Sequence, residues 1–396
     1  VWLGALLAFC LGAAIQAPGQ GSKKPDLSAD IFDPDKIQTF EITIPPLLFD
    51  VLLDGCRNRE NRPYVRAHLK YGDEVVEHIG LRLKGEASCR DVTSKPAFKI
   101  KIDSFVKDQR FHGLQHLTLN NTIMDPSMMV ERIAYHVYRQ LGVPAPRAAS
   151  VWVTVNGQPF GLYTNVETED KAFLRRWFSD NDGNLYEEGG SDLTPGSEMR
   201  FDLETNKEKN DRSDLANFIN VLNQPGNNAA YLAALDKVLD TAHFLKLASA
   251  AALVDAADTY PVSVNNFRMY SDPVSKRFYF LPWGMDLSLR GRGQSRAAIA
   301  SGRGGTLVIR RCLAVPECDA RFRQTLAESV DAFEKMGIEE LAIRIHEQIR
   351  DRAFEDPRKM SSNDQFVSAA QTIISLIRQT PASIRQQFNL PAPARE

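Results

Sequence analysis

Residues 255–286 read DAADTYPVSVNNFRMYSDPVSKRFYFLPWGMD, and the order of elements in this stretch decides the arrangement of the whole chain. Just before it, Thr241 to Asp255 has the apolar content and length of a helix, and the end of that helix delivers Asp258. Asn265 and Asn266 follow. Phe267 to Tyr270 and Arg277 to Leu281 are short apolar runs separated by the turn signal Ser271-Asp272-Pro273, so a small β-hairpin is expected. The hairpin leads into Pro282-Trp283-Gly284-Met285-Asp286. An acid, an amide pair, a hairpin and a second acid thus follow one another in that order.

Outward from this stretch the pattern changes from helical to β. The flanking segments read as helices: Asp170 to Phe178, Asp214 to Asn223, Ala229 to Leu239, and most of Ala320 to Arg378. Farther upstream, Phe40 to Ile44 alternates and stops at Pro45-Pro46, and Tyr64 to Leu69, His78 to Leu83, Ala97 to Ile102 and His116 to Asn120 read as further strands. One helix interrupts them. Asp125-Pro126 supplies a cap and a first-turn proline, Met129, Ile133 and Val137 repeat every four residues, and Gly142 stands just past the end. Val151, Val153 and Val155 then alternate up to Asn156-Gly157, a strong hairpin signal, with Gly161 to Val166 as the returning strand.

Composition narrows the class. The 396 residues are 43% hydrophobic and 25% charged, enough for a sizeable core and more than one core usually holds. Forty-eight basic residues nearly balance fifty acidic ones, so the strong positive field that nucleic-acid binding needs is lacking and no nucleic-acid partner is expected. The run Trp2 to Ala17, apolar from Leu3 to Ile15, is long enough for a signal-peptide core and short for a membrane span. A signal peptide over 1–17 and a Gly/Pro-rich linker over 18–37 are therefore expected, with a secreted or cell-envelope location and no membrane span in the mature chain. A buried apolar helix is the competing reading of the first segment.

Apart from Cys10, four cysteines remain: Cys56, Cys89, Cys312 and Cys318. Three pairings are open. Cys312 with Cys318 is preferred, because the short loop containing Pro316 can bring them together, which leaves Cys56 with Cys89. A zinc site competes, yet no CxxC pair or histidine cluster accompanies these residues.

A β-rich part with one inserted helix, followed by a helical part carrying a small hairpin, is the outline of a protein-kinase fold. Phosphoryl transfer needs cations on the phosphates, a metal held by acidic and amide oxygens, and a base beside the attacking hydroxyl. Asp258, Asn265-Asn266, the hairpin and Asp286 stand in the order that a kinase uses for these parts, with a longer gap after Asp258. Lys99 and Lys101 share one face of their strand, since side chains alternate, and one of them is expected to pair the phosphates. Lys99 is preferred. A pair of solvated strand lysines is the bland alternative.

Several motifs then carry a family resemblance. Arg82-Leu83-Lys84-Gly85 with Ser88, Lys95-Pro96-Ala97-Phe98-Lys99-Ile100-Lys101, Asp125-Pro126-Ser127-Met128, Leu141-Gly142-Val143-Pro144, Gly183-Asn184-Leu185-Tyr186, Asn266-Phe267-Arg268-Met269-Tyr270 and Phe278-Tyr279-Phe280-Leu281-Pro282-Trp283 resemble the CotH family, the spore coat protein H kinases. They keep the family's order and cover nearly everything from residue 38 to about residue 330. The resemblance implies an α+β, atypical protein-kinase-like two-lobed fold. Its β-rich N-lobe would span 38–167 with one inserted helix, and its mainly helical C-lobe 168–390.

The resemblance also implies a site. Asp258 matches the catalytic Asp, against the alternative of a surface acid at a helix end, where negative charge opposes the dipole. Asn266 matches a metal-binding Asn, although either Asn265 or Asn266 could be a turn residue. Lys84, Gly85 and Ser88 resemble the phosphate-side loop. Glu131 is placed to pair with the phosphate lysine, and a solvent-facing helical Glu is the alternative. Glu167 is placed beside the adenine, and a plain hinge carboxylate is the alternative. The implied cofactors are ATP with Mg2+ or Mn2+, and the implied partner is a protein with Ser/Thr acceptors.

One departure matters. The family commonly has Pro-Trp-Asp-x-Asp, and here Gly284 takes the first Asp position while Asp286 is kept. In an extended segment the two positions lie about 6 to 7 Å apart, so Asp286 could substitute only with a local shift. Two readings follow: an active Ser/Thr-directed kinase, or a pseudokinase that keeps the fold as a binding or scaffold module. Neither a GxSxG elbow nor an HExxH helix supports a hydrolase.

Overall fold

A computed structural model describes residues 25–53, 56, 62–301 and 304–391. The expected signal peptide over 1–17 lies outside the described residues, and the expected linker is described only from residue 25.

The first half of the described chain is a closed barrel. In chain order it uses β1 (Gln38–Thr43), a short helix α1 (Pro46–Leu53), β2 (Val65–Tyr71), β3 (Glu74–Lys84), β4 (Ala97–Lys101), β5 (His116–Asn120), helix α2 (Val130–Gln140), β6 (Ala148–Val155) and β7 (Gln158–Val166). The strand order is β1-β2-β3-β4-β5-β7-β6, and β1 closes the ring by parallel pairing with β6, Gln38 opposite Val151 through Ile42 opposite Val155. Alternation fills the interior with Phe40, Ile42, Ala67, Leu69, Leu81, Leu83, Phe98, Ile100, Leu117, Leu119, Val151 and Val153. The same alternation turns Arg82, Lys84 and Lys99 outward. Closure also removes the free edges that an open sheet would present.

Local chemistry explains the joints. Asn156 and Gly157 both have positive φ, 50° and 75°, as a two-residue hairpin requires, and Asn156 Oδ1 accepts the Ile44 N–H at 2.7 Å. Pro45-Pro46 stops β1 as expected, but Pro46 then opens α1 rather than a plain loop. The inserted helix begins later than expected, at Val130, because Met128 takes φ 57° and breaks the helical path. Asp125 still serves the start of the helix, its Oδ2 accepting from Val130 N at 2.8 Å and its Oδ1 from Ser127 N at 2.9 Å.

The second half continues with α3 (Lys171–Trp177), β8 (Leu185–Glu187), β9 (Asp202–Leu203), α4 (Ser213–Leu222), α5 (Ala229–Val238), α6 (Thr241–Leu253), β10 (Phe267–Ser271), β11 (Phe278–Pro282), α7 (Gln294–Ala300), α8 (Leu307–Leu313), α9 (Pro316–Lys335), α10 (Ile338–Glu355) and α11 (Asn363–Phe388). The expected hairpin is β10–β11. It belongs to a sheet of order β11-β10-β8-β9, in which β8 and β9 are too short to show a period. The long helical run is broken at Gly337, with φ 63°, and again between Glu355 and Asn363. Buried α6 packs against α9 and α11, and one large core runs from α2 through these helices. No helix among the described residues is long and apolar enough to cross a membrane.

Two disulfides are present, Cys56–Cys89 and Cys312–Cys318, the pairing preferred from the sequence. Barrel and helices are also clamped together. Lys95 donates to Asp356 Oδ2 at 2.6 Å, and both side chains are buried. Asp356 further accepts from Leu162 N and Arg358 N, each at 2.9 Å. Arg358 lies 3.6 Å over the Phe160 ring and donates to the carbonyls of Val92 and Ser94.

Candidate active site

A cleft of ≈ 560 Å³ runs between the outer face of the barrel and the β10–β11 hairpin. From the barrel come Arg82 and Lys84 on β3, Lys99 on β4, and Thr118 and Asn120 on β5. The loop from Gly85 to Ser88 overhangs them. Gly85 is required there: its φ is 94°, and a Cβ would lie 2.4 Å from Ser88 Oγ. Arg62 Nη1 donates to Gly85 O at 2.7 Å, and the Cys56–Cys89 bridge ends the loop.

Strand register decides which lysine meets Glu131. Asn120 links the two, accepting from Lys84 Nζ through Oδ1 and donating through Nδ2 to Glu131 Oε1 at 2.7 Å. Lys99, preferred from the sequence for this pairing, stands opposite Arg82 instead, on the neighbouring rung of the sheet. It therefore lines the same cleft without approaching Glu131. Lys101 lies farther along β4, opposite Gly80 and His116, and does not line the cleft. Glu167 is also corrected: it accepts from Arg147 Nη2 at 2.8 Å, Arg147 N at 3.0 Å and Arg176 Nη2 at 2.6 Å. With both oxygens so engaged it braces the end of β7, and the neighbouring Thr168 lines the cleft in its place.

The floor is a polar loop after α6. Asp258 Oδ1 accepts from Asn265 Nδ2 at 3.0 Å and Oδ2 from Asn266 Nδ2 at 2.9 Å. Asn266 Nδ2 also donates to Asp258 O at 2.8 Å, and Asn266 N to Glu188 Oε1 at 3.2 Å. With Nδ2 so engaged, Asn266 Oδ1 lies beside Gly284 and accepts no hydrogen bond among the described residues. The long gap between Asp258 and Asn265 is filled by Tyr260, fully buried, whose hydroxyl donates to Asp192 Oδ1 at 3.0 Å. The loop is long because it carries a core anchor.

The segment after the hairpin is turned rather than extended. Gly284 takes φ 62° and ψ 55°, and a single 3₁₀ turn, Met285–Leu287, follows. This turn is the local shift that places Asp286 in the cleft beside Lys84, Glu131 and Asp258. In this turned backbone an Asp at position 284 would not simply restore a ligand. A Cβ on Gly284 would lie 2.6 Å from Asn266 Oδ1, in a backbone region that disfavours side chains.

The charges are held away from their ordinary states. Burial raises the Asp286 carboxyl, Lys84 opposes that rise, and Asp258 adds to it. Burial and then Asp286 push Glu131 up to about 8. Burial lowers Lys84, while Glu131 and Asp286 hold it up. Lys99 falls to about 8, through burial first and then Arg268 and Arg82. Arg268 is committed to Glu169 at 3.1 Å and Glu187 at 2.7 Å, and its guanidinium lies 4.8 Å over the Trp283 ring.

All four residues expected to converge, Lys99, Asp258, Asn266 and Asp286, do line this one cleft, with Lys84, Gly85, Ser88 and Glu131. Sequence reasoning missed Arg62, Arg82, Asn120, Glu187, Glu188, Arg268 and Trp283. Arg82, Arg268 and Trp283 stood inside quoted motifs. Asn120 carried no signal, because its role depends on a strand end meeting a helix.

The family model described as CotH kinase protein matches residues 81–384. The inner spore coat protein H of Bacillus subtilis (strain 168) is 22% identical over 305 residues, 72% of this chain and 82% of that protein. An inner spore coat protein H-like protein of the same strain is 36% identical over 88 residues, 22% of this chain and 27% of that protein. The crystal structure of a Helicobacter pylori proinflammatory kinase, CtkA, aligns with a TM-score of 0.29 and 12% identity, over 74% of this chain and 93% of that one. Since the family match spans the cleft-forming strands, Asp258, Asn266 and Asp286 alike, the chain belongs to the CotH kinase protein family.

Proposed function

We propose that the chain is an exported phosphotransferase that moves the terminal phosphoryl group of ATP to a Ser or Thr hydroxyl of a protein. In this reading the barrel and the helical part act as the two lobes of a kinase-like fold. One observation carries the proposal: the cleft brings cations and oxygen donors from distant segments together. Arg62, Arg82, Lys84 and Lys99 come from the barrel and its loops, and Asp258, Asn266 and Asp286 from the loop after α6 and the turn after the hairpin. A polyphosphate with a divalent cation needs that arrangement. The two disulfides support work in an oxidising compartment.

The residues fit a small hard cation. Asn266 Oδ1 accepts no hydrogen bond among the described residues, and no described side chain forms an ion pair with the Asp286 carboxylate. Oxygen donors of this kind suit Mg2+ or Mn2+, which keep several waters. No group of three or more His, Cys, Asp or Glu among the described residues could hold a metal ion, so the amide oxygen and the phosphates themselves are needed to complete a site. A bound divalent cation would neutralise charge on the transferring phosphoryl group. Lys84 would hold the phosphates while Asn120 and Glu131 fix its position. Asp258, oriented by the two Asn amides, would accept the proton of the attacking hydroxyl.

A second reading, a pseudokinase, is favoured by Gly284, whose geometry leaves one acid after the hairpin. Titration of ATP with and without magnesium or manganese, followed by a phosphotransfer assay, separates them. Metal-dependent binding with transfer supports the enzyme. Binding without transfer supports the pseudokinase, and no binding sinks the enzyme and leaves the pseudokinase as a scaffold.

A further inference from the structure

A second cavity of ≈ 840 Å³, a volume typical of ligand sites, adjoins the cleft. The two meet at Asn121, Thr122, Met124 and Asp286, which line both. The walls of the cavity are the loop before α2, the turn after the β10–β11 hairpin, and one face of α11. That helix presents Gln365, Ser368, Ala369 and Thr372, which share a face by their spacing of three and four. Its short side chains leave the space open. The interior is apolar: Met128, Val130, Leu289 and Ile373 line it, and all four are buried. Met124 and Met360 extend this lining outward, and Met360 is 62% exposed.

Charge divides between the inside and the rim. The buried charges are already committed, Lys95 to Asp356 and Asp125 to the N–H groups of Ser127 and Val130. Arg290 and Arg292 line the same cavity from the turn, and both are exposed. Neither forms an ion pair among the described residues, although Arg290 Nη2 donates to Met124 O at 3.0 Å. Asp364, also exposed, comes from α11. Two cations thus outnumber one acid at the rim.

Methionine side chains adapt to apolar groups of different shape, which suits a surface that takes protein side chains. The cavity also begins where the cleft's chemistry lies. Asp286 belongs to both, and Asp258 is close enough to Asp286 to oppose its ionisation. An acceptor whose hydroxyl reaches Asp258 therefore has its flanking residues near this cavity. We infer that the cavity docks the protein acceptor, taking a large apolar side chain near the acceptor Ser or Thr between Met128, Leu289 and Ile373, with an acidic neighbour on Arg290 and Arg292. The ligand class is an extended segment that pairs an apolar anchor with an acid. The acceptor oxygen bonds to the terminal phosphorus of ATP as the bond to ADP breaks, and its proton passes to Asp258. This inference rests on the phosphotransferase reading.

The test is a positional-scanning library of Ser and Thr peptides, offered to the intact protein with ATP and magnesium or manganese, with casein as a general acceptor alongside. Met, Leu or Phe at one position near the acceptor should raise transfer about tenfold to a hundredfold over Gly, as burying one large apolar side chain does. Asp or Glu beside it should add about two- to fivefold, the range for an exposed ion pair. Ser368→Trp and Ala369→Trp, which fill the cavity from α11, should abolish the apolar preference and leave the affinity for metal and ATP unchanged. Arg292→Glu should abolish the acid preference alone, and thermal melts confirm that each variant is folded. Equal transfer to peptides of every sequence, or an apolar preference kept in both Trp variants, overturns the inference and leaves the phosphotransferase reading standing. Loss of ATP affinity in a folded Trp variant would put the nucleotide in the cavity, and that overturns it as well. If casein is phosphorylated and no peptide is, the inference alone fails, and if neither is, both fail.

Discussion

The Lys95–Asp356 clamp and the cleft both bury charge between barrel and helices, and they treat it in opposite ways. In the clamp, Lys95 and Asp356 meet at 2.6 Å, and the carboxylate is further satisfied by two backbone N–H groups. In the cleft, Glu131 and Asp286 crowd Lys84, and Lys99 faces Arg82 and Arg268. The first arrangement holds two parts of the chain together. The second holds charges in unfavourable company that a metal and phosphates would relieve, which is how binding sites, more often than structural ones, are built.

Breaking the clamp should have the largest effect. Asp356→Ala leaves Lys95 buried without a partner and should destabilise by about 3–5 kcal/mol, read by denaturant unfolding. Replacing both residues by apolar ones of similar size should recover most of that loss. An Asp356→Ala protein of unchanged stability would mean that the clamp is no different from the cleft.

Cleft residues should show the opposite balance of function and stability. Asp258→Ala should leave metal–ATP binding near its original affinity and lower transfer by about 10²–10⁴-fold. Asp286→Ala should abolish the metal dependence of binding itself, with little loss in melting temperature. If transfer and its metal dependence survive Asp286→Ala, the assignment of the metal side of the cleft is wrong.

Gly284→Asp sharpens the comparison at an intermediate size. The left-handed backbone and the 2.6 Å approach to Asn266 should cost about 1–3 kcal/mol of stability and give no gain in metal affinity. Tighter metal binding at unchanged stability would show that the turn yields readily to an extended form.

The smallest effect concerns Lys99. Its amine titrates at about 8 in the fold, below its ordinary 10.5, so the folded state disfavours the charged form. Stability should therefore be lowest below pH 8 and rise between pH 8 and 10.5 as the unfolded state alone keeps the proton. The facing groups Arg82, Arg268, Glu187 and Glu204 set the size of this shift. Lys99→Met should remove that slope and stabilise the protein by roughly 1–2 kcal/mol at neutral pH. A denaturation series over this pH range reads both. A Lys99→Met protein less stable than the original would mean that the lysine is well satisfied.

Much of the fold was legible because its signals are local. The Asn156-Gly157 turn, the alternating strands and the helix around Ile133 depend on neighbours two to four residues away. Asp258, Asn266 and Asp286 were legible for a different reason, since their order around a hairpin constrains where they can meet. The short strands β8 and β9 escaped because two or three residues cannot display a period. Glu167 was misjudged because Arg147 and Arg176 reach it only through the fold.

By itself the sequence determined the succession of strands and helices, the face on which each lysine of β3 and β4 stands, and the presence of one acid after the hairpin where the family commonly has two. Only the tertiary structure decided that β1 closes a barrel on β6, and that Lys84 rather than Lys99 meets Glu131. It also decided that a left-handed turn at Gly284 brings Asp286 into the cleft. The reason is physical. Periodicity is written in adjacent residues, whereas strand register and turn hand depend on contacts between residues far apart in the chain, and a shift of one position moves a side chain to the other face.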